Sequence, residues 1–116
     1  MSLRLVPFDT ERETLADGSV RISAHGELDL ATASALDAAL RECSREAPTR
    51  LVVDLSDVPF IDAAGLRVLI AARRRQDEAG GELVIASPSR QVARLLQIAG
   101  ERANLRVVNE KRRFAT

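Results

Sequence analysis

Residues Leu51 to Arg75 read LVVDLSDVPFIDAAGLRVLIAARRR. The stretch opens on a short, nearly continuous apolar run (Leu51, Val52, Val53, Leu55), the pattern of a strand covered on both faces. It closes on a helical pattern that starts near Ala63 or Ala64 and runs to about Ala79. At 100° per residue, Leu66, Leu69, Ile70 and Ala72 fall on one broad apolar arc flanked by Val68, while Arg67 and Arg74 lie together on the opposite side. Arg73 falls on the buried arc near the helix end, where its stem can pack while its charge reaches water. The run Arg73-Arg74-Arg75 also complements the negative end of the helix dipole. Between strand and helix, Ser56 to Asp62 must turn the chain and launch the helix. Asp62 suits the N-cap, where a carboxylate accepts bonds from the first free backbone N–H groups. A strand, a tight loop and a helix N-terminus together present a surface to an anion or a partner.

Working outward, Leu3–Phe8 reads as a first strand and Ala16-Asp17-Gly18 as a turn. In Val20–Glu27, Val20, Ile22 and Ala24 alternate with Arg21, Ser23 and His25. These two strands are expected to pair as an antiparallel hairpin with a rather long connection. Gly26-Glu27-Leu28-Asp29 ends the second, and Asp29 and Thr32 are both candidate caps for a helix over about Ala31–Glu46. Ala33, Leu36, Leu40 and Cys43 share one face of that helix, so Cys43 is read as a small core residue. Ala47-Pro48-Thr49 then breaks it. Downstream, Gly80-Gly81 supplies a stop and Glu82–Ala86 a further strand. Ser87 and Pro88 suit the cap and first position of a third helix, whose buried face is Val92, Leu95, Leu96 and Ala99. Gly100 ends it, Leu105–Val108 forms a last strand, and Asn109–Thr116 is a charged tail. The order β β α β α β α β, without repeats or a linker, describes a single α/β domain over residues 1–116 with its core at 3–108. Two βαβ crossovers, from the third strand to the fourth and the fourth to the fifth, imply right-handed parallel connections. With the hairpin they give a mixed sheet, its helices mainly on one face and the other face partly open.

The chain has 116 residues, 46% hydrophobic and 29% charged, enough for one ordinary globular domain with its own core. No apolar run approaches the roughly 20 residues of a membrane span. The opening MSLRLVPFDTERE lacks the long apolar segment of a secretory signal, so a cytoplasmic protein with no membrane partner is expected. The single cysteine, Cys43, excludes an internal disulfide. Net charge is zero but uneven. Residues 1–58 hold 6 Arg against 11 Asp plus Glu, and residues 59–116 hold 11 Lys plus Arg against 6 Asp plus Glu. Solvated helix faces account for such asymmetry, and an electrostatically matched partner also would. Aromatic residues are 3%, with no Trp or Tyr, so platforms for stacking nucleic-acid bases are absent and no nucleic-acid partner is expected.

Catalytic constellations are missing. His25 is the only histidine, with no Cys or carboxylate cluster at ligand spacing. The six glycines form neither G-x-G-x-x-G nor a P-loop. Asp54, Asp57 and Asp62 surround one loop with donors suited to a hard cation, yet Asp57 fits a turn and Asp62 a cap. Neither an enzyme, a metal site nor a cofactor is expected.

Leu51-Val52-Val53-Asp54-Leu55-Ser56 followed by Phe60-Ile61-Asp62-Ala63-Ala64-Gly65-Leu66 resembles the signature segment of STAS domains (sulphate transporter and anti-sigma factor antagonist). Gly26-Glu27-Leu28-Asp29 before an Ala/Thr-rich helix start is similar to a second landmark. Gly80-Gly81-Glu82-Leu83-Val84, and Ser87-Pro88 leading to Val92, Leu95 and Leu96, match others in order. The resemblance spans about residues 3–108. It implies a small regulatory protein that binds an anti-sigma factor, commonly a serine-protein kinase of the GHKL ATPase type, and so frees a sigma factor. In that family the kinase phosphorylates a Ser or Thr directly after the motif Asp. The added charge of about −1.5 to −2 beside a carboxylate then disrupts docking.

The resemblance carries Asp29, Thr32, Asp62, Ala63, Ala64, Gly65, Leu66 and Arg67 as partner-binding positions. At the phosphoacceptor position, however, stands Ala63, followed by Ala64, and neither can take a phosphate. Ser56, the closest upstream hydroxyl, lies at the strand end and is no obvious substitute. Only eight residues follow Val108, too few for the longer final helix of such domains, which would leave an apolar edge for a partner to cover. Three readings stay open: an antagonist blind to phosphorylation at position 63, a STAS interaction module in a signalling scaffold or an NTPase complex of lipid transport, or a degenerate or decoy module or something outside these classes. Oligomeric state is not specified by the sequence.

Overall fold

In the computed structural model, residues 7–109 are described. Five strands, β1 (Asp9–Thr14), β2 (Val20–His25), β3 (Arg50–Asp57), β4 (Glu82–Ala86) and β5 (Arg106–Val108), form one sheet in the order β1-β2-β3-β4-β5. Three helices, α1 (Ala33–Ser44), α2 (Ala63–Glu78) and α3 (Arg90–Ala103), connect the last four. β1 and β2 are antiparallel, and every later pair is parallel. The sheet is therefore mixed, as expected. It holds one more parallel crossover than expected, because β2–α1–β3 joins neighbouring parallel strands as well.

That order explains where the helices go. Each crossover steps one strand in the same direction, and a right-handed connection then returns along the same face every time. One core cluster accordingly unites Leu36 and Leu40 of α1, Leu69 and Ala72 of α2, and Val92 and Leu96 of α3. It joins them to the Ile22, Leu51, Val53 and Ile85 side of the sheet. On the far side, Val52 and Val84 are nonetheless fully buried and Ala86 almost so, in a second cluster with Val108. β3 thus reads as a continuous apolar run because both its faces are covered.

The first strand corrects the expectation. Leu3–Val6 lie outside the described residues, Pro7 and Phe8 are not in a strand, and β1 instead occupies the polar segment DTERET. It is an edge strand set by its turn. Leu15 N–H donates to Ser19 O at 2.8 Å and Gly18 N–H to Leu15 O at 2.9 Å, with Gly18 at φ 86°. The register from Thr14↔Val20 to Asp9↔His25 follows directly, and the connection is short. An edge strand exposed along most of its length needs no apolar alternation, so periodicity passes over it.

Helix starts also shift. α1 begins two residues late, and buries the expected Ala33, Leu36, Leu40 and Cys43. α3 begins at Arg90, not at Pro88. Ser87 adopts a left-handed backbone (φ 50°) and donates its N–H to Val108 O at 2.9 Å, closing β4 onto β5. Ser89 takes over the helix start, its hydroxyl 3.4 Å from Val92 N and donating to Val58 O at 2.9 Å. At the opposite end of the sheet, buried Gln76 donates to Pro48 O and Glu82 O, both at 3.2 Å, and so ties α2 to the loop before β3 and to the start of β4. The tail after Asn109 lies outside the described residues.

Candidate functional site

β2, β3 and β4 run parallel, so their carboxyl ends and the loops leading into α1, α2 and α3 gather at one edge. That edge is where open α/β sheets bind ligands and partners. The first two loops are sewn together. Gly26, at φ 107°, donates its N–H to Asp57 O at 3.1 Å. Leu28 N–H donates to Phe60 O at 2.9 Å and Asp62 N–H to Leu28 O at 3.1 Å, which makes an isolated parallel bridge between Leu28 and Ile61. Beneath the bridge, Leu28 (0% exposed) and Ile61 (4%) press on the first turn of α2. A Cβ at Gly65 would stand 2.6 Å from Leu28 Cγ and 2.8 Å from Ile61 Cγ1, so only glycine lets the helix approach this closely.

Asp62 is the N-cap of α2, with extended backbone (φ −114°, ψ −171°) and Oδ1 accepting from Ala64 N at 2.9 Å and Gly65 N at 3.2 Å. Asp29 acts likewise at the turn before α1, its Oδ1 accepting from Ala31 N at 3.0 Å and Thr32 N at 3.2 Å. Thr32 occupies the N-cap position of α1 but makes no side-chain cap bond. Instead its hydroxyl donates to Glu27 O at 2.7 Å and accepts from Asp29 N at 3.0 Å, bracing the loop from inside. Two aspartates therefore stand at the positive ends of two neighbouring helices, each holding its own loop.

The positions expected to meet a partner divide by exposure. Ala63 and Arg67 are exposed, Asp29, Asp62, Ala64 and Leu66 are half-buried, and Thr32 and Gly65 are buried. Thr32 and Gly65 hold the face from behind. Two residues missing from the expected set are Leu30, 81% exposed, and Phe60, 49% exposed, one on each sewn loop. Leu30 precedes α1 and Phe60 follows β3, so neither lies in an apolar period that would have marked it.

Asp54 Oδ1 accepts from Ser56 N at 2.9 Å, Asp57 Oδ2 lies 2.8 Å from His25 Nδ1, and Asp62 caps α2. The three aspartates thus point to separate tasks. Among the described residues no group of three or more His, Cys, Asp or Glu side chains is placed to hold a metal ion. No described helix is long and apolar enough to cross a membrane.

Comparison with known proteins agrees with this architecture. The family model described as Mlab, STAS domain, matches residues 11–106. The anti-sigma-F factor antagonist RsfB of Mycobacterium tuberculosis is 42% identical over 69 residues, which are 58% of this chain and 57% of RsfB, so this chain spans little more than half the length of that relative. An anti-sigma-B factor antagonist of Staphylococcus aureus is 28% identical over 97 residues, 84% of this chain and 89% of the relative. Among solved structures, an anti-sigma factor antagonist from Mycobacterium paratuberculosis superposes with a TM-score of 0.79 at 27% identity, covering 90% of this chain and 87% of that one. Unphosphorylated SpoIIAA, at 19% identity, shares the fold with a TM-score of 0.75 over 90% of each chain. With sheet order, signature loop and family match in agreement, this chain belongs to the STAS domain family.

Proposed function

We propose that this protein is a non-enzymatic, cytoplasmic anti-sigma factor antagonist, and that it binds its anti-sigma factor through the face formed by Asp29, Leu30, Phe60 and the first turn of α2 from Asp62 to Arg67. The observation that carries the reading is Ala63, exposed as the first residue of α2 directly after the capping Asp62. The face is rigid, because the two loops are bonded to each other, and it is half apolar, as a protein interface core requires. The names of the relatives reported above support the same reading. Where the family's usual partner is a GHKL-type serine-protein kinase, Ala63 offers such a kinase no hydroxyl. Binding is then constitutive and controlled by expression or competition.

The test is binding of the purified protein to the anti-sigma kinases of its own genome, with ADP or ATP present. The reading expects one of them to bind at micromolar concentration or better and to yield no phosphoprotein. Ala63→Ser should restore phosphorylation if the partner is an active kinase. Ala63→Asp should weaken binding by placing a second carboxylate beside Asp62. Absence of binding by every candidate removes the reading, and unchanged affinity of Ala63→Asp removes the face. A second reading, an interaction module of a signalling scaffold or an NTPase complex of lipid transport, has one specific support: the matching family model is described as a STAS domain and not as an antagonist. Co-purification of scaffold or transporter subunits in place of an anti-sigma factor would establish it.

A further inference from the structure

Beside the α2 face runs a groove of about 140 Å³ between the β3–α2 loop and α3, lined by Pro59, Phe60, Ile61, Gln91, Val92 and Leu95. Its walls are mostly apolar, and Phe60 is half exposed at its rim. The strip continues along α3, since Gln91, Leu95 and Ile98 follow one another at helical spacing and Ile98 is 77% exposed. An isoleucine so placed contributes nothing to the core of this domain.

Along the first two turns of α3 the charge beside the strip is positive. Arg90 and Arg94, one turn apart on α3, are exposed and adjoin Gln91 and Leu95 along the helix. Neither makes an ion pair among the described residues. By contrast, Arg12, Arg41, Arg50, Arg73 and Arg106 each have a carboxylate partner. Helix starts favour acidic side chains, yet the first turn of α3 holds none and begins with Arg90. An apolar strip with a basic edge is complementary to a segment with the opposite pattern.

We propose that this groove docks an acidic amphipathic helix of a partner protein, its apolar side chains on Phe60, Leu95 and Ile98 and its carboxylates on Arg90 and Arg94. Such helices read as apolar anchors at i, i+3 or i+4 and i+7, which is the spacing of the strip itself. The inference rests on α3 and on the β3–α2 loop, where it shares Phe60 with the proposed α2 face, but it does not require the anti-sigma reading of that face.

The experiment titrates the full chain with two fluorescent model peptides of about 16 residues, one a Leu/Glu amphipathic helix and the other its Leu/Lys counterpart with the same apolar pattern. Amide chemical shifts map the site. The Leu/Glu peptide should bind at least about tenfold more tightly than the Leu/Lys peptide, with shifts confined to residues 59–61 and 90–98. Arg90→Glu with Arg94→Glu should reverse the preference. Ile98→Ser, at a side chain already in water, should weaken the Leu/Glu peptide several-fold while the thermal melt stays unchanged. Equal binding of both peptides, shifts elsewhere, or binding of anionic phosphatidylglycerol vesicles with no peptide binding would each overturn the proposal. The α2 face is tested with a different binding partner, the anti-sigma factor, so failure here and failure of that face are read separately.

Discussion

Gly65→Ala places one methyl group where the two site loops meet α2, and its effect follows from opposing magnitudes. In an ordinary helix the change stabilises by about 1 kcal/mol, because alanine has the better propensity. Here the new Cβ would sit 2.6 Å from Leu28 Cγ, 2.8 Å from Ile61 Cγ1 and 3.0 Å from Leu28 Cδ2. Leu28 cannot retreat, since it is wholly buried and its N–H and C=O are both bonded to the β3–α2 loop. Overpacking of this kind costs about 1–3 kcal/mol, and two contacts this short put the site at the upper end. The net expectation is a loss of about 2 kcal/mol. For a chain of this length that lowers the melting temperature by about 8 °C. Far-UV circular dichroism suits the measurement because the protein has no Trp or Tyr to report by fluorescence. In a Leu28→Ala background, which removes both leucine atoms from the clash, Gly65→Ala should cost at least about 1 kcal/mol less than it does alone. A Gly65→Ala protein as stable as the parent, or additive effects of the two substitutions, would refute the close-approach reading.

Further consequences follow from single contacts. Asp62→Ala should cost about 1 kcal/mol in urea melts by uncapping α2, while Asp62→Asn keeps most of that stability. Gln76→Leu should cost about 1–3 kcal/mol, because it strands the buried carbonyl of Pro48 and removes a donor from that of Glu82. Burial pushes the Cys43 thiol up from its ordinary value. The unfolded chain then loses its thiol proton first, so this contribution to stability is complete below the ordinary thiol pKa and declines as pH rises past about 8.5. Cys43→Ala should remove that part of the alkaline decline, and the native thiol should react slowly with alkylating reagents at neutral pH.

How much of the fold the sequence reveals depends on whether burial imprints a period. α1, α2, β3 and β4 each bury a definite set of positions, and their apolar spacing places them to within two residues. β1 buries almost nothing and is held by backbone bonds to β2, so its polar segment gives no signal and an adjacent apolar run attracts the assignment instead. The start of α3 misleads for a related reason. Ser87-Pro88 has the composition of a helix start, but Ser87 is needed at φ 50° to bond Val108, and a partner 21 residues away leaves no local trace. Site residues split along the same line. Asp62 is legible because capping is local chemistry. The internal duty of Thr32 is not, since it depends on the carbonyl of Glu27 across a folded loop. Leu30 and Phe60 stand out only once the exposed surface is known.

The structural explanation of Asp62, Ala63 and Gly65 does not compete with the functional one. A docking face must be held within a fraction of an ångström by its own support if binding is not to cost the entropy of ordering it. Here the cap fixes where α2 begins, Gly65 fixes how close it lies to the sheet, and the Leu28–Ile61 bridge fixes both loops against it. Their combined product is the position of residue 63, exposed and rigid at the start of a helix. In such a frame a hydroxyl would be presented to a kinase and its phosphate would fall beside Asp62. A methyl group in the same frame presents an unchanging apolar contact. The frame and the residue it displays are different things to perturb, so Ala63→Ser should alter reactivity without altering stability, whereas Gly65→Ala should cost stability and displace the residue that the frame presents.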